Sequence, residues 1–175
     1  MSRSVVSLVV GLVWLAACSN GTKAKHDDAP PITHTEAAPV EAASAKVWLT
    51  GPQGEVPVTV EVVATTPKIM KGLMYREHLP IDNGMLFLMG VMNDGEEYDH
   101  AFYMRNTLIP LDMLFINKEM TVVGIVENAE PKTETLRRVG KPSLYVLEVN
   151  GGWTAAKQIK AGAKVRFEGV TSSTP

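Results

Sequence analysis

The chain has one cysteine, Cys18, among its 175 residues. A single thiol excludes an intramolecular disulfide, so the fold must depend on core packing. The sequence also lacks zinc-ligand spacing, a nucleophile elbow, a phosphate-binding loop and a dinucleotide fingerprint. We therefore expect no cofactor. With 17 Lys and Arg against 19 Asp and Glu, and no basic cluster, we expect no nucleic-acid partner.

Long hydrophobic runs are equally scarce. Val5–Leu15 is apolar but too short for a permanent membrane span, and Arg3 precedes it. The run ends in small residues directly before Cys18, which resembles a bacterial lipobox. This predicts a signal peptide over residues 1–17 and a diacylglycerol on Cys18, the alternative being an ordinary secretory signal with an incidental cysteine. Ser19 rather than Asp at the next position predicts the periplasmic face of the outer membrane.

Large apolar side chains are also rare between Ser19 and Ala45. Such a segment cannot bury enough surface to offset the entropy of ordering it. We predict a disordered tether over residues 18–45, a single globular domain over 46–170, and a disordered tail over 171–175. The lipid on Cys18 would attach the domain to the membrane, and we expect the protein to be monomeric.

Within the domain, short apolar segments alternate with turn-forming residues. Val56, Val58, Val60 and Val62 recur with the period of a half-buried strand. Two short helices are predicted, over 66–76 and 153–159. Eight strands are predicted, over 46–50, 56–64, 84–89, 100–105, 112–116, 120–126, 143–150 and 164–168. The absence of regular strand–helix alternation favours a mainly β domain, an antiparallel sandwich or a barrel-like sheet.

The segment from Asp99 to Asn117 combines the most hydrophobic order with a specific polar interruption. It predicts two strands joined by a polar corner, Arg105-Asn106-Thr107. Asp112 shares a face of the second strand with aliphatic residues, and Glu148 does the same in a later strand. A buried carboxyl needs a partner or has a raised pKa, and Arg76 and Arg105 are the candidate partners.

Two interpretations of these carboxyls remain open. They could accept hydrogen bonds that hold loops in place, or they could line a polar pocket. A hydrolase acting on envelope polysaccharide would use Asp112 and Glu148 as its acid and base.

Methionine is the other notable residue type. Eight follow the initiator, and soft thioethers together with His100 could bind Cu(I) weakly. Most of these methionines occupy apolar-periodic positions, where methionine serves as a core residue. Packing is therefore the favoured role, and Cu(I) binding is the alternative.

Several motifs resemble, in order, the signature of the domain of unknown function 192 (DUF192) family. They are Gly72-Leu73-Met74-Tyr75-Arg76, Gly84-Met85-Leu86-Phe87, Phe102-Tyr103-Met104-Arg105-Asn106-Thr107, Ile109-Pro110-Leu111-Asp112 and Val146-Leu147-Glu148. Tyr103 stands where the family usually has tryptophan. The resemblance covers about residues 56–167 and implies a compact, mainly β, sandwich-like fold. It implies no activity, cofactor or catalytic residue.

These observations predict a non-catalytic envelope lipoprotein that binds a small ligand or an envelope protein. The expected site lies at the corner between residues 105 and 112. Its predicted residues are Arg76, Tyr103, Arg105, Asn106, Thr107, Asp112 and Glu148.

Overall fold

The structure is a computed structural model that describes residues 44–171. The predicted signal peptide, Cys18 and nearly all of the tether and tail lie outside the described residues. Among residues 44–171, no helix is long and apolar enough to cross a membrane.

The described residues form seven strands, two α-helices and one 3-10 helix. The strands are β1 (Lys46–Gly51), β2 (Gly54–Val63), β3 (Asn83–Leu88), β4 (Leu111–Ile116), β5 (Val122–Ala129), β6 (Tyr145–Asn150) and β7 (Val165–Glu168). The helices are α1 (Thr66–Lys71), the 3-10 helix (Met89–Met92) and α2 (Trp153–Lys157). The predicted mainly β class with two short α-helices is confirmed.

All seven strands belong to one sheet, in the order β5-β4-β6-β3-β2-β1-β7. Every pairing is antiparallel except that of β2 with β3, which α1 connects. The two edges approach each other where Thr121 bridges to Lys164 and the Val122 amide donates to the Ala163 carbonyl at 3.0 Å. The sheet therefore curls into a half-barrel, which corresponds to the barrel-like alternative of the predicted fold.

Alternating side chains along the central strands divide the core between the two faces of the sheet. On one face, which we call the α1 face, Ile69 of α1 packs with Phe87, Met113 and Val146. On the other, the α2 face, Trp153 of α2 packs with residues such as Leu86, Leu114 and Leu147. Because the central strands are covered on both sides, they are apolar almost throughout.

Two features of the sequence prediction are corrected. Residues 100–105 are not a strand, because within the described chain this segment has only an isolated bridge, between Phe102 and Arg137. The polar corner therefore joins an extended loop to β4. The predicted helix over 66–76 is also shorter, because Gly72 takes φ +48 and ends it. A Cβ at Gly72 would lie 3.2 Å from the Phe87 ring, so glycine also permits close packing there.

Candidate functional site

Asp112 is fully buried on the α2 face and is hydrogen-bonded through both carboxylate oxygens. Oδ1 accepts from the backbone amides of Asn128 at 2.7 Å and Gly152 at 2.9 Å. Oδ2 accepts from the Thr154 amide at 2.8 Å and the Thr154 hydroxyl at 2.6 Å. Four donors thus compensate the desolvation of this carboxylate.

The position of Asp112 explains how α2 begins. Gly152 precedes the helix and has no side chain with which to cap it. The first amides of a helix lack partners within the helix, and a carboxylate satisfies them while complementing the helix dipole. Asp112 supplies this cap from β4, and at the same time holds the end of β5 through Asn128. It corresponds to the interpretation in which a carboxyl holds loops in place.

Glu148 is buried on the opposite, α1 face of the sheet. It lies on β6 directly between Met113 of β4 and Met85 of β3, both of which are buried. Among the described residues, no group hydrogen-bonds to its carboxyl. Burial alone raises the pKa of Glu148 to about 8, so the carboxyl is mostly protonated at neutral pH.

A pocket of about 210 Å³ opens beside Glu148, and we call it the Glu148 pocket. Its walls come from α1 and the turn after it, β3, the 3-10 helix and the loop that precedes the polar corner. Its lining consists of residues 69–74, Phe87, Met89, Met92, residues 100–103, Thr107 and Glu148. The pocket is therefore mostly apolar, with a small number of polar groups, which is the usual composition of a small-molecule site.

Thr107 is the second buried polar side chain of the pocket. It is 5% exposed, as is Glu148. Its backbone amide and carbonyl are hydrogen-bonded to Met104 and Lys132, but within residues 44–171 its hydroxyl has no hydrogen-bond partner. Two unpartnered polar groups thus line one apolar pocket, and each is available to a ligand.

His100 and Tyr103 line the same pocket. Desolvation lowers the pKa of His100, opposed by a hydrogen bond with the Ser143 backbone and by the nearby charge of Asp99. The ring nitrogen Nε2 of His100 lies 3.4 Å from the Asn93 side-chain amide. The Tyr103 ring stacks under Arg105, whose guanidinium carbon is 5.2 Å from the ring centroid.

The remaining predicted site residues do not line the pocket. Arg76 forms an ion pair with Glu61, and Arg105 forms a bidentate pair with Glu134 at 2.9 and 3.1 Å. The expectation that these arginines pair with Asp112 or Glu148 is therefore wrong.

Asn106 takes a left-handed backbone conformation, φ 57, and ties the polar corner to the turn after α1. Its side-chain amide donates to the Tyr75 hydroxyl at 2.9 Å, and its backbone carbonyl accepts from the Tyr75 backbone amide at 2.8 Å. Of the seven predicted ligand-binding residues, the structure brings three together in the pocket, Tyr103, Thr107 and Glu148.

Asp112 and Glu148 project from opposite faces of the sheet. Asp112 lies on the α2 face with Leu114 and Ile116, whereas Glu148 lies on the α1 face with Val146. An acid–base pair must flank one scissile bond. The sheet separates these two carboxyls, so the geometry does not support the hydrolase hypothesis.

The pocket also collects methionines that are scattered along the sequence. Met70, Met74, Met89 and Met92 line it together with His100. Among the described residues, no group of three or more His, Cys, Asp or Glu side chains could hold a metal ion. Any metal bound here would therefore depend on thioether ligands, which suit Cu(I).

Sequence reasoning did not assign the walls of the pocket to a site. Residues from α1, Phe87 and Phe102 were interpreted as core, because they follow the apolar periodicity of packed elements. One signal was present, the exposed flank of α1, where Met70 is 54% exposed although methionine favours burial. Periodicity alone does not show that two apolar faces leave a gap between them.

Comparison with known proteins identifies the family but no established activity. Residues 47–167 match the family model DUF192, described as an uncharacterized ACR. No curated protein matches the chain.

Two crystal structures are similar to this chain. One, described as "a putative transcription regulator" from Sinorhizobium meliloti 1021, is 34% identical with a TM-score of 0.66, over 76% of this chain and 100% of that one. The other, a protein of unknown function from Novosphingobium aromaticivorans DSM 12444, is 38% identical with a TM-score of 0.65, over 84% and 99%. The family match spans most of the described domain and agrees with the motifs in the sequence. This chain belongs to the DUF192 family.

Proposed function

We propose that this protein is a lipid-anchored protein of the cell envelope whose DUF192 domain binds a small molecule in the Glu148 pocket without transforming it. The observation that carries the proposal is the buried Glu148 carboxyl, which has no hydrogen-bond partner among the described residues and borders a pocket. Buried polar groups are nearly always paired, so an unpaired group at a pocket marks the place for a ligand.

The free-energy cost of this arrangement supports the proposal. Each pKa unit corresponds to about 1.4 kcal/mol, and burial moves the pKa of Glu148 from 4.5 to about 8. An apolar residue at this position would avoid that cost and would continue the packing of Met85 and Met113. A costly residue in a pocket wall is therefore better explained by binding than by packing.

The size of the pocket limits the ligand. A cavity of about 150 Å³ holds benzene, whereas drug-sized ligands need about 300 Å³ or more. At about 210 Å³, the Glu148 pocket suits a molecule slightly larger than benzene. Met70 and Met92 are partly exposed beside it, and flexible thioether side chains adapt to ligands of different shape.

The test is a titration of the full chain with benzyl alcohol, followed by NMR. We expect saturable shifts at pocket residues such as Phe102 and Thr107. Ala101→Trp should abolish them, because Ala101 is an exposed residue of the pocket wall. Ala156→Trp is the matched control, since Ala156 is an exposed alanine of α2 on the other face. Binding that is unchanged in Ala101→Trp, or absent from the unaltered chain, would refute the pocket as a ligand site.

The lipid anchor has its own test, because Cys18 lies outside the described residues. We expect incorporation of labelled palmitate into the unaltered chain and its recovery with outer membranes. Cys18→Ser should remove the label and release the protein in soluble form. Labelling that persists in Cys18→Ser would show that the cysteine is incidental.

A second candidate function is Cu(I) binding, favoured by the four methionines and His100 that share the pocket. Thioether and imidazole ligands are suited to this soft ion. Titration with Cu(I) in competition with a chromogenic chelator should show one bound equivalent, which His100→Leu weakens. Failure of the protein to withdraw Cu(I) from the chelator would exclude this candidate.

This chain has no charge pattern that favours the regulatory role named in the description of the Sinorhizobium protein. Its Lys and Arg residues number 17 against 19 Asp and Glu and form no cluster, whereas DNA-binding domains carry a basic patch.

A further inference from the structure

We propose that the ligand of the Glu148 pocket is a small organic ammonium ion, whose positive charge pairs with the Glu148 carboxylate. This inference rests on the proposed function, because it names the chemical class that the same pocket selects. Four features of the pocket support it: the isolation of the carboxyl, the aromatic walls, the acidic loop at the mouth, and the size.

The first feature is that, among the described residues, no cation forms an ion pair with Glu148. Its neighbours on β3 and β4 are Met85 and Met113, which carry no charge. The two arginines of the family motifs form ion pairs with other carboxylates, Arg76 with Glu61 and Arg105 with Glu134. A buried carboxylate becomes favourable only when a cation or several donors compensate it, and here that partner must come from outside.

The other titratable groups that line the pocket do not alter this conclusion. They are His100, Lys71 and Tyr103. Burial is the sole cause of the raised pKa of Glu148, so none of these groups acts on its charge in the absence of a ligand. Lys71 is exposed on α1, and the lowered pKa of His100 leaves its ring neutral at pH 7.

The second feature is the aromatic wall. Phe87 and Phe102 line the pocket, and their rings meet edge to face with centroids 5.4 Å apart. Aromatic faces attract ammonium groups, and desolvated sites strengthen this attraction. The thioethers of Met89 and Met92 add polarisable surface that suits the methyl or methylene groups of such an ion.

The third feature is the loop between the 3-10 helix and His100, whose two ends both line the pocket. It carries four carboxylates, Asp94, Glu96, Glu97 and Asp99. Asp99 lies 3.8 Å from Arg138 and Glu97 accepts from the Lys118 amide, whereas Asp94 and Glu96 are exposed. A negative loop beside a pocket mouth raises the local concentration of cations.

A neutral ligand would not need this arrangement. A glutamine at position 148 could donate and accept hydrogen bonds with a neutral molecule without the ionisation of a buried acid. What a carboxyl adds is charge, so it discriminates between a cation and an uncharged molecule of the same shape. Thr107 can accept or donate one further hydrogen bond to a polar substituent of the ion.

The test compares choline with 3,3-dimethyl-1-butanol, its uncharged carbon isostere, by calorimetric titration of the full chain. The quaternary charge of choline does not titrate, so pH acts on the protein alone. At pH 9 we expect choline to bind at least about tenfold more tightly than the alcohol. Below the pKa of Glu148, the affinity of the protein for choline should fall about tenfold per pH unit, because the charged fraction of Glu148 falls by that factor.

Glu148→Gln is the decisive variant, since it matches the protonated side chain in shape and removes the charge. We expect it to lose the preference for choline, and most of the pH dependence, while it still binds the alcohol. Any pH dependence that remains in Glu148→Gln belongs to His100. Thr107→Val, an isosteric change at the other polar group, should retain the charge preference.

The outcomes separate the two proposals. Equal affinity for both molecules in the unaltered chain, or a choline preference that survives Glu148→Gln, overturns the ammonium inference but leaves the pocket as a site for neutral ligands. If choline, the alcohol and benzyl alcohol all fail to bind, both the inference and the proposed function are overturned.

Discussion

Each face of the sheet buries one carboxyl, and the two carboxyls differ in their hydrogen bonding. Asp112 on the α2 face accepts four hydrogen bonds from three residues. Glu148 on the α1 face has no partner among the described residues and borders a pocket. Both arise from the same sequence pattern, a carboxyl among aliphatic residues. Asp112 is a structural group because four donors compensate its burial. Glu148 has no such donors, so its carboxyl is available for binding.

The largest expected effect is on the Asp112 side of this comparison. Asp112→Ala leaves three backbone amides and the buried Thr154 hydroxyl without their acceptor, and we expect a loss of about 5 kcal/mol in the free energy of unfolding. Urea unfolding at pH 7 measures it. Glu148→Gln, the control on the other face, should not destabilise the domain at pH 7. A loss below about 1 kcal/mol for Asp112→Ala would show that the four hydrogen bonds do not support the fold.

The next effect is the pH dependence that Glu148 causes. Its carboxyl ionises near pH 4.5 in the unfolded chain and near pH 8 in the folded one, so the folded state binds the proton more tightly. The contribution of Glu148 to the free energy of unfolding is therefore complete below pH 4.5 and is lost as the pH rises through 8. The total loss is about 4 to 5 kcal/mol, at about 1.4 kcal/mol per unit.

The measurement is the free energy of unfolding of the unaltered chain and of Glu148→Gln between pH 5 and 9. We expect the variant to be the more stable protein at pH 9, with a difference that shrinks toward pH 5. Parallel curves for the two proteins would show that Glu148 ionises normally, and the contrast between the two faces would then disappear.

A matched pair of threonines tests the same comparison with a smaller expected change in stability. Thr154→Val removes the hydroxyl that donates to Asp112, and we expect a loss of about 2 kcal/mol, typical of a hydrogen bond to a charged group. Thr107→Val removes a hydroxyl that lines the pocket and has no hydrogen-bond partner among the described residues, and should cost nothing or stabilise the domain. Thermal unfolding of the two variants decides the point, and equal losses would contradict it.

The smallest effect concerns Ser143, just before β6. Its hydroxyl is completely buried and has no hydrogen-bond partner within residues 44–171. Ser143 does not line the pocket, so its removal tests the stability argument separately from binding. Ser143→Ala should stabilise the domain by up to about 1 kcal/mol, because it removes an unpaired polar group. Destabilisation in urea unfolding would reveal a partner for this hydroxyl.

Much of the fold could be predicted from the sequence. The valine alternation of β2 and the two-sided apolar run of β3 are local patterns, and each was predicted within one or two residues. Residues 100–105 show the limit. They alternate as a strand does, but Phe102 and Met104 pack against the core from a loop, because burial without a continuous hydrogen-bond ladder produces the same pattern.

The candidate site could be predicted only in part. Tyr103, Thr107 and Glu148 stand out locally as polar or amphipathic residues within apolar segments, and the structure places all three in the pocket. Arg76, Arg105 and Asp112 stand out equally, but their partners are distant in sequence. Glu61, Glu134 and the start of α2 can be recognised as those partners only after the chain has folded.

The sequence by itself therefore determined the class of fold, the family and the presence of two carboxyls in apolar strands. Composition, period and motif order are properties of short segments, so they can be recognised without coordinates. Only the tertiary structure decided which carboxyl is compensated. Asp112 and Glu148 lie on neighbouring strands, and a shift of one residue in register exchanges the two faces of a sheet. That register, which depends on packing across the whole domain, directs one carboxyl to the donors at α2 and the other to a pocket.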